Sequence, residues 1–221
     1  MKRLLCSLLA AAFACAHTGA MADDDGSDRI PAAAVAFHFL GRFTVFPPPD
    51  GPLLLGYIAF LENVEGPIFA GTPGVETAHF TITFAGGAPP VPLSPGSNLA
   101  VNLFPPGPTF DVYFDETPDQ DWSDPASFSD GILVATFLES ALLNSRVDEP
   151  DGSGVAYNLF SSELIYSEKF RFHGRKVDFR KLMPNGVTVN NFATRTPVSF
   201  VPFTTAFSGT GVAIGGGDDD E

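Results

Sequence analysis

Short runs of β-branched and aromatic residues, separated by clusters of Pro, Gly and Asp, cover the chain from residue 32 to residue 214. Several runs alternate strictly: within residues 77–84, Ala78, Ile82 and the two phenylalanines face one way and polar residues the other. This pattern is typical of antiparallel strands that pack one face on a core. The sequence therefore predicts ten strands, over residues 35–46, 53–61, 77–84, 98–104, 109–114, 132–138, 155–166, 168–172, 176–182 and 203–214.

The turns between these runs favour sequential hairpins. Pro47-Pro48-Pro49-Asp50-Gly51 and His173-Gly174 each predict a hairpin turn, and residues 140–147 form the one stretch where we expect a helix. A meander of about ten strands must close to hide its edges, and the alternate glycines of residues 207–214 suit a strand that bends as it closes. The sequence predicts an all-β fold, a single antiparallel β-barrel (meander) of about 8–10 strands, with a β-sandwich as the alternative.

The first residues have the pattern of an export signal. Lys2 and Arg3 precede an apolar run over residues 4–15, and Ala20-Met21-Ala22 matches a cleavage site. The run is shorter than a membrane-spanning helix requires, so we expect no membrane span and a periplasmic or secreted protein. A lipoprotein through Cys15 is the alternative. We divide the chain into a signal peptide (1–22), a disordered acidic leader (23–31), a β domain (32–214) and a disordered acidic tail (215–221).

Composition narrows the chemistry of the exported part. Cys6 and Cys15 both lie in the signal, so no disulfide or thiol chemistry is expected after cleavage. All of the 22 phenylalanines except Phe13 follow residue 22, and their burial supplies the core. The net charge of −14 argues against nucleic-acid binding and against anionic membrane surfaces.

An acidic loop follows the strand at residues 109–114. Its closely spaced carboxylates suit calcium, which takes six to eight oxygen ligands, although their spacing does not match a twelve-residue EF-hand loop. The alternative is a solvated turn. The single tryptophan, Trp122, lies in this loop and either stacks on a planar ligand such as a sugar or plugs the end of the β domain. The predicted metal ligands are Asp115, Asp119, Asp121 and Asp124.

A basic hairpin is predicted over residues 168–181, which hold six of the twelve Lys and Arg residues. Alternation places its basic residues opposite Phe170, Phe172, Val177 and Phe179. The basic face suits a carboxylate, a phosphate or an acidic partner, and the alternative is a solvent-facing pair of strands protected from aggregation. The predicted anion-binding residues are Lys169, Arg171, His173, Arg175, Lys176 and Arg180.

Catalytic signatures are sparse. His38, His79 and His173 are widely spaced without a His-x-His pair, so a zinc site is not indicated. The chain has no Gly-x-Ser-x-Gly elbow and no phosphate-binding glycine motif, so we predict no cofactor and favour a role other than an enzyme. A hydrolase or a barrel-type cyclase stays open as an alternative, because catalytic groups are defined by geometry rather than by order.

One resemblance covers most of the exported part. The segment from Asp121-Trp122-Ser123-Asp124-Pro125 to Gly131, the run Gly66-Pro67-Ile68-Phe69-Ala70-Gly71 and the Gly-x-Gly-x-Ala-x-Gly of residues 209–215 resemble segments of exported bacterial all-β proteins of unknown function. The resemblance implies a single domain. It implies no activity for any residue.

The sequence thus predicts an exported β-barrel whose leading role is to bind a small apolar or amphipathic ligand in its mouth or interior. The alternatives are a structural or interaction protein that uses the basic hairpin, and the enzyme described above. We expect a monomer.

Overall fold

A computed structural model describes residues 29–45, 52–85, 87–93, 99–151, 153–195 and 203–215. The predicted signal peptide, the lipoprotein alternative, most of the leader, the tail after residue 215 and the Pro47–Gly51 turn all lie outside these residues. No helix in the described part of the chain has the length and apolarity needed to cross a membrane.

The described residues are almost entirely strands joined by short connections. The strands are β1 (Val35–Val45), β2 (Pro52–Leu61), β3 (Phe80–Ala85), β4 (Val91–Leu93), β5 (Ala100–Phe104), β6 (Thr109–Phe114), β7 (Ile132–Glu139), β8 (Leu142–Asp148), β9 (Gly154–Ser167), β10 (Phe170–Phe172), β11 (Arg175–Val177), β12 (Val187–Arg195) and β13 (Phe203–Ala213). One short helix, α1 (Phe179–Leu182), and 3-10 turns at Val75–Thr77 and Pro125–Phe128 complete the structure.

Eight strands close an antiparallel barrel, which confirms the predicted fold. Their order is β12-β13-β1-β2-β3-β6-β7-β9, and β9 pairs with β12 to close the circle. The barrel strands follow one another in this same circular order along the chain, with the other strands inserted between them, as in a meander. Closure leaves the eight barrel strands with partners on both sides.

Three strands extend this barrel on one side. The sheet continues from β9 through β8 and β5 to β4. One edge of β9 has two partners: β8 pairs with the first half of β9, and β7 pairs with the second half. We call β4, β5 and β8, with residues 154–159 of β9 and the paired residues 190–195 of β12, the wing. Its separation from the barrel follows from Pro105, Pro106 and Pro108 between β5 and β6, since proline cannot donate to a strand ladder.

Phenylalanine rings fill the barrel. Phe37, Phe80, Phe110, Phe137 and Phe179 are all fully buried, and the rings of Phe110 and Phe137 stack with centroids 4.6 Å apart. Facing glycines make room for some of these rings. Phe37 and Phe39 of β1 lie opposite Gly211 and Gly209 of β13. A Cβ atom on either glycine would collide with the ring opposite. The alternate glycines of residues 207–214 are therefore explained by ring packing on β1.

Two sequence-based assignments were wrong. Residues 140–147, predicted as a helix, contain most of β8, because Leu143, Ser145 and Val147 alternate with polar residues at a period of two. Residues 176–182, predicted as one strand, divide into β11 and helix α1. Asp178 starts that helix, since its carboxylate accepts a hydrogen bond of 2.9 Å from the backbone N–H of Arg180.

Candidate functional site

The acidic loop between β6 and β7 brings three carboxylates together. One oxygen from each of Asp115, Asp119 and Asp130 lies within 4.8 Å of the others. Burial raises the pKa of Asp130, and the negative charges of Asp119 and Asp115 raise it further. Of the four predicted metal ligands, two are in this cluster. Asp130 was missed, although it lies directly before the Gly131 that begins the approach to β7.

The other two predicted ligands are used within the loop. Asp121 accepts hydrogen bonds from the backbone N–H and the hydroxyl of Ser123, and these bonds lower its pKa. Asp124 begins the 3-10 turn Pro125–Phe128 by accepting from the backbone N–H of Ala126 at 3.1 Å. Both side chains therefore stabilise the local turn, and neither belongs to the three-carboxylate cluster.

Gln120 lies beside this cluster and is almost completely buried, with 1% of its surface exposed. Its side-chain N–H donates to Asp115 Oδ2 at 3.2 Å. Its amide oxygen Oε1 is buried without a hydrogen-bond partner among the described residues. The opposite amide orientation would place that oxygen against the carboxylate, so the hydrogen bond fixes which atom is left unpaired.

Trp122 packs against the outer wall of the barrel. The guanidinium carbon of Arg42 lies 4.4 Å from the centre of its ring, and the ring of Phe128 lies 4.9 Å away. Trp122, Leu53 and Leu55 are among the residues that line a cavity of about 150 Å³. Since Arg42 already covers one face of the indole, stacking of a sugar on that face would require displacement of a cation–π contact.

The basic hairpin forms as β10 and β11, with Phe170 and Phe172 buried beneath it. His173 and Gly174 make the turn with positive φ values of 46° and 82°. Several of the predicted anion-binding residues are exposed but already have partners. Arg175 pairs with Glu65 at 2.8 Å, Lys169 with Asp178 at 3.8 Å, and Arg171 donates to the Gly174 carbonyl at 3.1 Å.

Lys176 and Arg180 complete the predicted set, and both are exposed. Lys176 lies on β11 and Arg180 in helix α1. Exposed pairs contribute little stability and exchange partners readily. Anion binding at this hairpin therefore stays a prediction.

Two of the three histidines among the described residues meet at the same end of the barrel. The rings of His79 and His173 are 6.2 Å apart, while His38 lies on the barrel wall and hydrogen-bonds Thr210. His79 Nδ1 is 2.7 Å from the Asp115 carbonyl, and His173 Nε2 is 3.0 Å from the Pro67 carbonyl. Each ring is held by a backbone oxygen. The enzyme alternative stays a prediction.

The barrel interior holds an ionisable group that the sequence analysis missed. Glu139, at the end of β7, is only 4% exposed, and its pKa is raised to about 7 by burial. Ser162 of β9 lies directly opposite, and its hydroxyl is buried without a hydrogen-bond partner among the described residues. An apolar strand that ends in Glu139-Ser140 has the pattern of an ordinary exposed strand end, so the sequence offers no signal for this burial.

A ladder of four asparagines crosses the inner side of the wing. Asn102, Asn144, Asn158 and Asn191 are direct neighbours on β5, β8, β9 and β12. Each amide donates to the next, at 3.4, 2.7 and 2.7 Å. Further along β9 and β12, toward the barrel, the positions on the same side of the sheet carry buried apolar residues such as Phe160 and Val189. The interior thus changes from apolar to polar where the barrel continues into the wing.

The outer side of the wing is apolar. Strand registers place Tyr157 opposite Phe192, Leu159 opposite Leu143, and Val155 opposite Val147. β5 and β4 extend the same surface. We call this surface the outer face; its members are Val91, Leu93, Val101, Leu103, Leu143, Val147, Val155, Tyr157, Leu159 and Phe192.

Comparison with known proteins found no family model that matches the chain, no similar curated protein and no similar solved structure. The resemblance to exported bacterial all-β proteins therefore stays a prediction. The features of the described residues that bear on function are the acidic cluster, the buried Glu139, the asparagine ladder and the outer face.

Proposed function

We propose that this is an exported, non-catalytic structural protein that assembles with a second copy of itself through the outer face of the wing. The observation that carries the proposal is the exposure of that face. Eight of its ten side chains are large hydrophobics with 38% to 51% of their surface exposed, on strands that are direct neighbours. Contiguous apolar surface of this kind marks an interaction site, whereas scattered exposed hydrophobics do not.

The charge of the chain favours a contact at this face. The protein has a net charge of −14, so two copies repel each other wherever their carboxylates meet. The outward positions between the apolar side chains are Ser145, Thr194 and Asn190, and none of them is charged. Two copies can therefore approach there without burying a charge. The face also lacks the basic residues that attract proteins to anionic lipid.

The shape of the face favours another sheet over a small molecule. Small ligands bind in concave sites that enclose most of their surface, and an outward sheet face encloses little. Two sheets instead pack face to face with interdigitating side chains. Five strands about 4.8 Å apart and about five residues long give a footprint on the order of 400 Å². A pair would lie at the small end of protein interfaces, so we expect weak, concentration-dependent association.

Removal of the two aromatic side chains is expected to abolish this association. Phe192 and Tyr157 lie opposite each other on β12 and β9, where the face joins the barrel, with 48% and 44% of their surface exposed. The double variant Phe192→Ser, Tyr157→Ser should sediment as a monomer across roughly a hundredfold concentration range in which the natural chain associates. Sedimentation velocity measures the difference.

The matched control replaces two equally exposed hydrophobics outside the face. Ile132 and Ile165 are 55% and 47% exposed, and their serine variants should associate like the natural chain. A natural chain that is monomeric at every concentration would refute the proposal, as would equal loss of association in the control. Flotation with neutral phosphatidylcholine vesicles that depends on Phe192 and Tyr157 would show that lipid covers the face instead.

A second candidate function, the binding of a small ligand, finds support in the asparagine ladder. Phenylalanine rings fill the barrel interior among the described residues, so a ligand fits better at the asparagine ladder, where the barrel continues into the wing. Asn102, Asn144 and Asn158 are half-buried, and each amide can form further hydrogen bonds beyond those of the ladder. This chemistry fits a polar ligand better than the predicted apolar one. Native mass spectrometry should then detect a bound small molecule that Asn158→Leu loses.

A further inference from the structure

The geometry points to a divalent-cation site, with calcium as the preferred ion, formed by Asp115, Asp119 and Asp130 together with the amide oxygen of Gln120. This inference is independent of the proposed assembly. The site lies in the loop between β6 and β7 and includes no residue of the wing.

The spacing of the carboxylates fits one ion. Calcium binds oxygen at about 2.3–2.6 Å, so oxygens on opposite sides of the ion are about 5 Å apart. The oxygens of Asp115, Asp119 and Asp130 already lie within 4.8 Å of one another. Magnesium requires near-octahedral geometry and retains its waters, whereas calcium accepts several carboxylate and amide oxygens in flexible geometry, so calcium is the preferred ion.

Gln120 distinguishes this cluster from ordinary acidic surface. Its unpartnered Oε1 is bonded to the same carbon as the nitrogen that donates to Asp115 Oδ2, so covalent geometry keeps this oxygen close to Asp115. A buried carbonyl oxygen without a partner costs free energy, and most such groups in native structures are satisfied. Amide oxygens are regular calcium ligands. A cation would satisfy Gln120 and reduce the repulsion among the three carboxylates.

The site would join the two ends of the loop. Asp115 follows β6 directly, and Asp130 lies two residues before β7. The backbone of Asp115 is also held by His79, whose carbonyl accepts from the Asp115 N–H at 2.9 Å. A bound ion would therefore tie the middle of the loop, through Asp119 and Gln120, to the rigid end of the β6–β7 hairpin. Four protein oxygens leave room for the waters that complete a calcium shell.

Calcium titration of the full exported chain tests the site. Isothermal titration calorimetry with calcium chloride should give one saturable site with a Kd on the order of 10⁻⁴ to 10⁻³ M, as in extracellular modules. Asp130→Asn should weaken binding about tenfold or more. Asp124→Asn is the matched control, because it removes an equal charge from the same loop but not from the cluster, and it should change the Kd by less than about twofold.

Terbium luminescence locates the ion. Trp122 is the single tryptophan of the chain and lies two residues from Gln120, so its excitation should sensitise bound terbium, and calcium should displace that signal. Trp122→Phe should remove the luminescence and leave calcium binding by calorimetry intact. Gln120→Leu tests the amide without a change of charge and should weaken calcium binding if the variant keeps the natural circular dichroism spectrum.

Two outcomes would overturn the inference. One is the absence of saturable calcium binding in the natural chain. The other is an equal loss of affinity in Asp130→Asn and Asp124→Asn, which would show diffuse attraction to an acidic loop rather than a site. Both aspartates are exposed, so neither variant should prevent folding.

Discussion

Glu139→Gln is expected to be more stable than the natural chain at pH 8, by about 2 to 3 kcal/mol, and equally stable at pH 4. Burial raises the pKa of Glu139 from its ordinary value of 4.5 to about 7. Between pH 4.5 and about pH 7, therefore, Glu139 is protonated in the folded chain but ionised in the unfolded chain. The free energy of unfolding falls as the pH rises through this range. Above pH 7 Glu139 is ionised in the folded chain as well, and the buried charge then destabilises the fold by its full amount. Glutamine has nearly the shape of the protonated side chain and never ionises.

Urea unfolding at several pH values measures this effect. The difference between variant and natural chain should grow from pH 4.5 to about pH 7 and then stay constant. Glu163→Gln is the matched control, because Glu163 follows Ser162 on β9 but is exposed. Both variants remove one negative charge, so a general effect of net charge would appear in both. Equal pH profiles for Glu139→Gln and the natural chain would contradict the burial of an ionisable carboxyl.

Gly211→Val should destabilise the barrel by about 3 kcal/mol or more. The ring of Phe37 occupies the space in front of Gly211, and three of its carbons would lie 2.5, 2.7 and 2.8 Å from a Cβ atom there. Phe37 is 1% exposed, so its ring cannot move outward without opening the core. The valine must therefore displace a packed ring or separate β1 from β13.

Thermal and urea unfolding check this prediction. The matched control is Gly74→Val, because Gly74 has an extended φ of 178° and the nearest atom to a Cβ there lies 3.9 Å away. Its effect on stability should be below about 1 kcal/mol. Phe37→Leu should recover part of the loss when combined with Gly211→Val, since the two sites share one volume. Additive losses in that double variant would show that ring displacement is not the cause.

Most of the barrel could be predicted because the inward residues of its strands alternate with more exposed ones, although β12 was not among the predicted strands. β6 shows this well: Phe110, Val112 and Phe114 are buried and the residues between them are partly exposed. The wing could not be predicted, because its alternation is inverted. On β8, Asn144 and Arg146 face the inner side while Leu143 and Val147 face outward. A strand that is apolar on its exposed side gives no signal of where the core lies.

The candidate sites were predictable only within continuous stretches of chain. Asp115 and Asp119 belong to one acidic run, and the sequence identifies them as potential ligands. Asp130 joins them because β6 and β7 pair in antiparallel register, with Phe114 opposite Ile132. The burial of Glu139 depends on β9, which follows later in the chain and places Ser162 across from it. The residue pattern within one continuous stretch cannot predict these contacts, because strand pairing brings the residues together from distant parts of the chain.

The pairing of β1 with β13 has a consequence for how the protein folds. These strands form the first and last members of the barrel, and the hydrogen bond between His38 and Thr210 joins residues 172 positions apart. Contacts of such long separation make folding slow, because a large loop must close before they form. The edges of β1 and β12 stay open until β13 arrives. We therefore expect the chain to complete its barrel only after its last strand has been delivered, and to be most prone to aggregate before that moment.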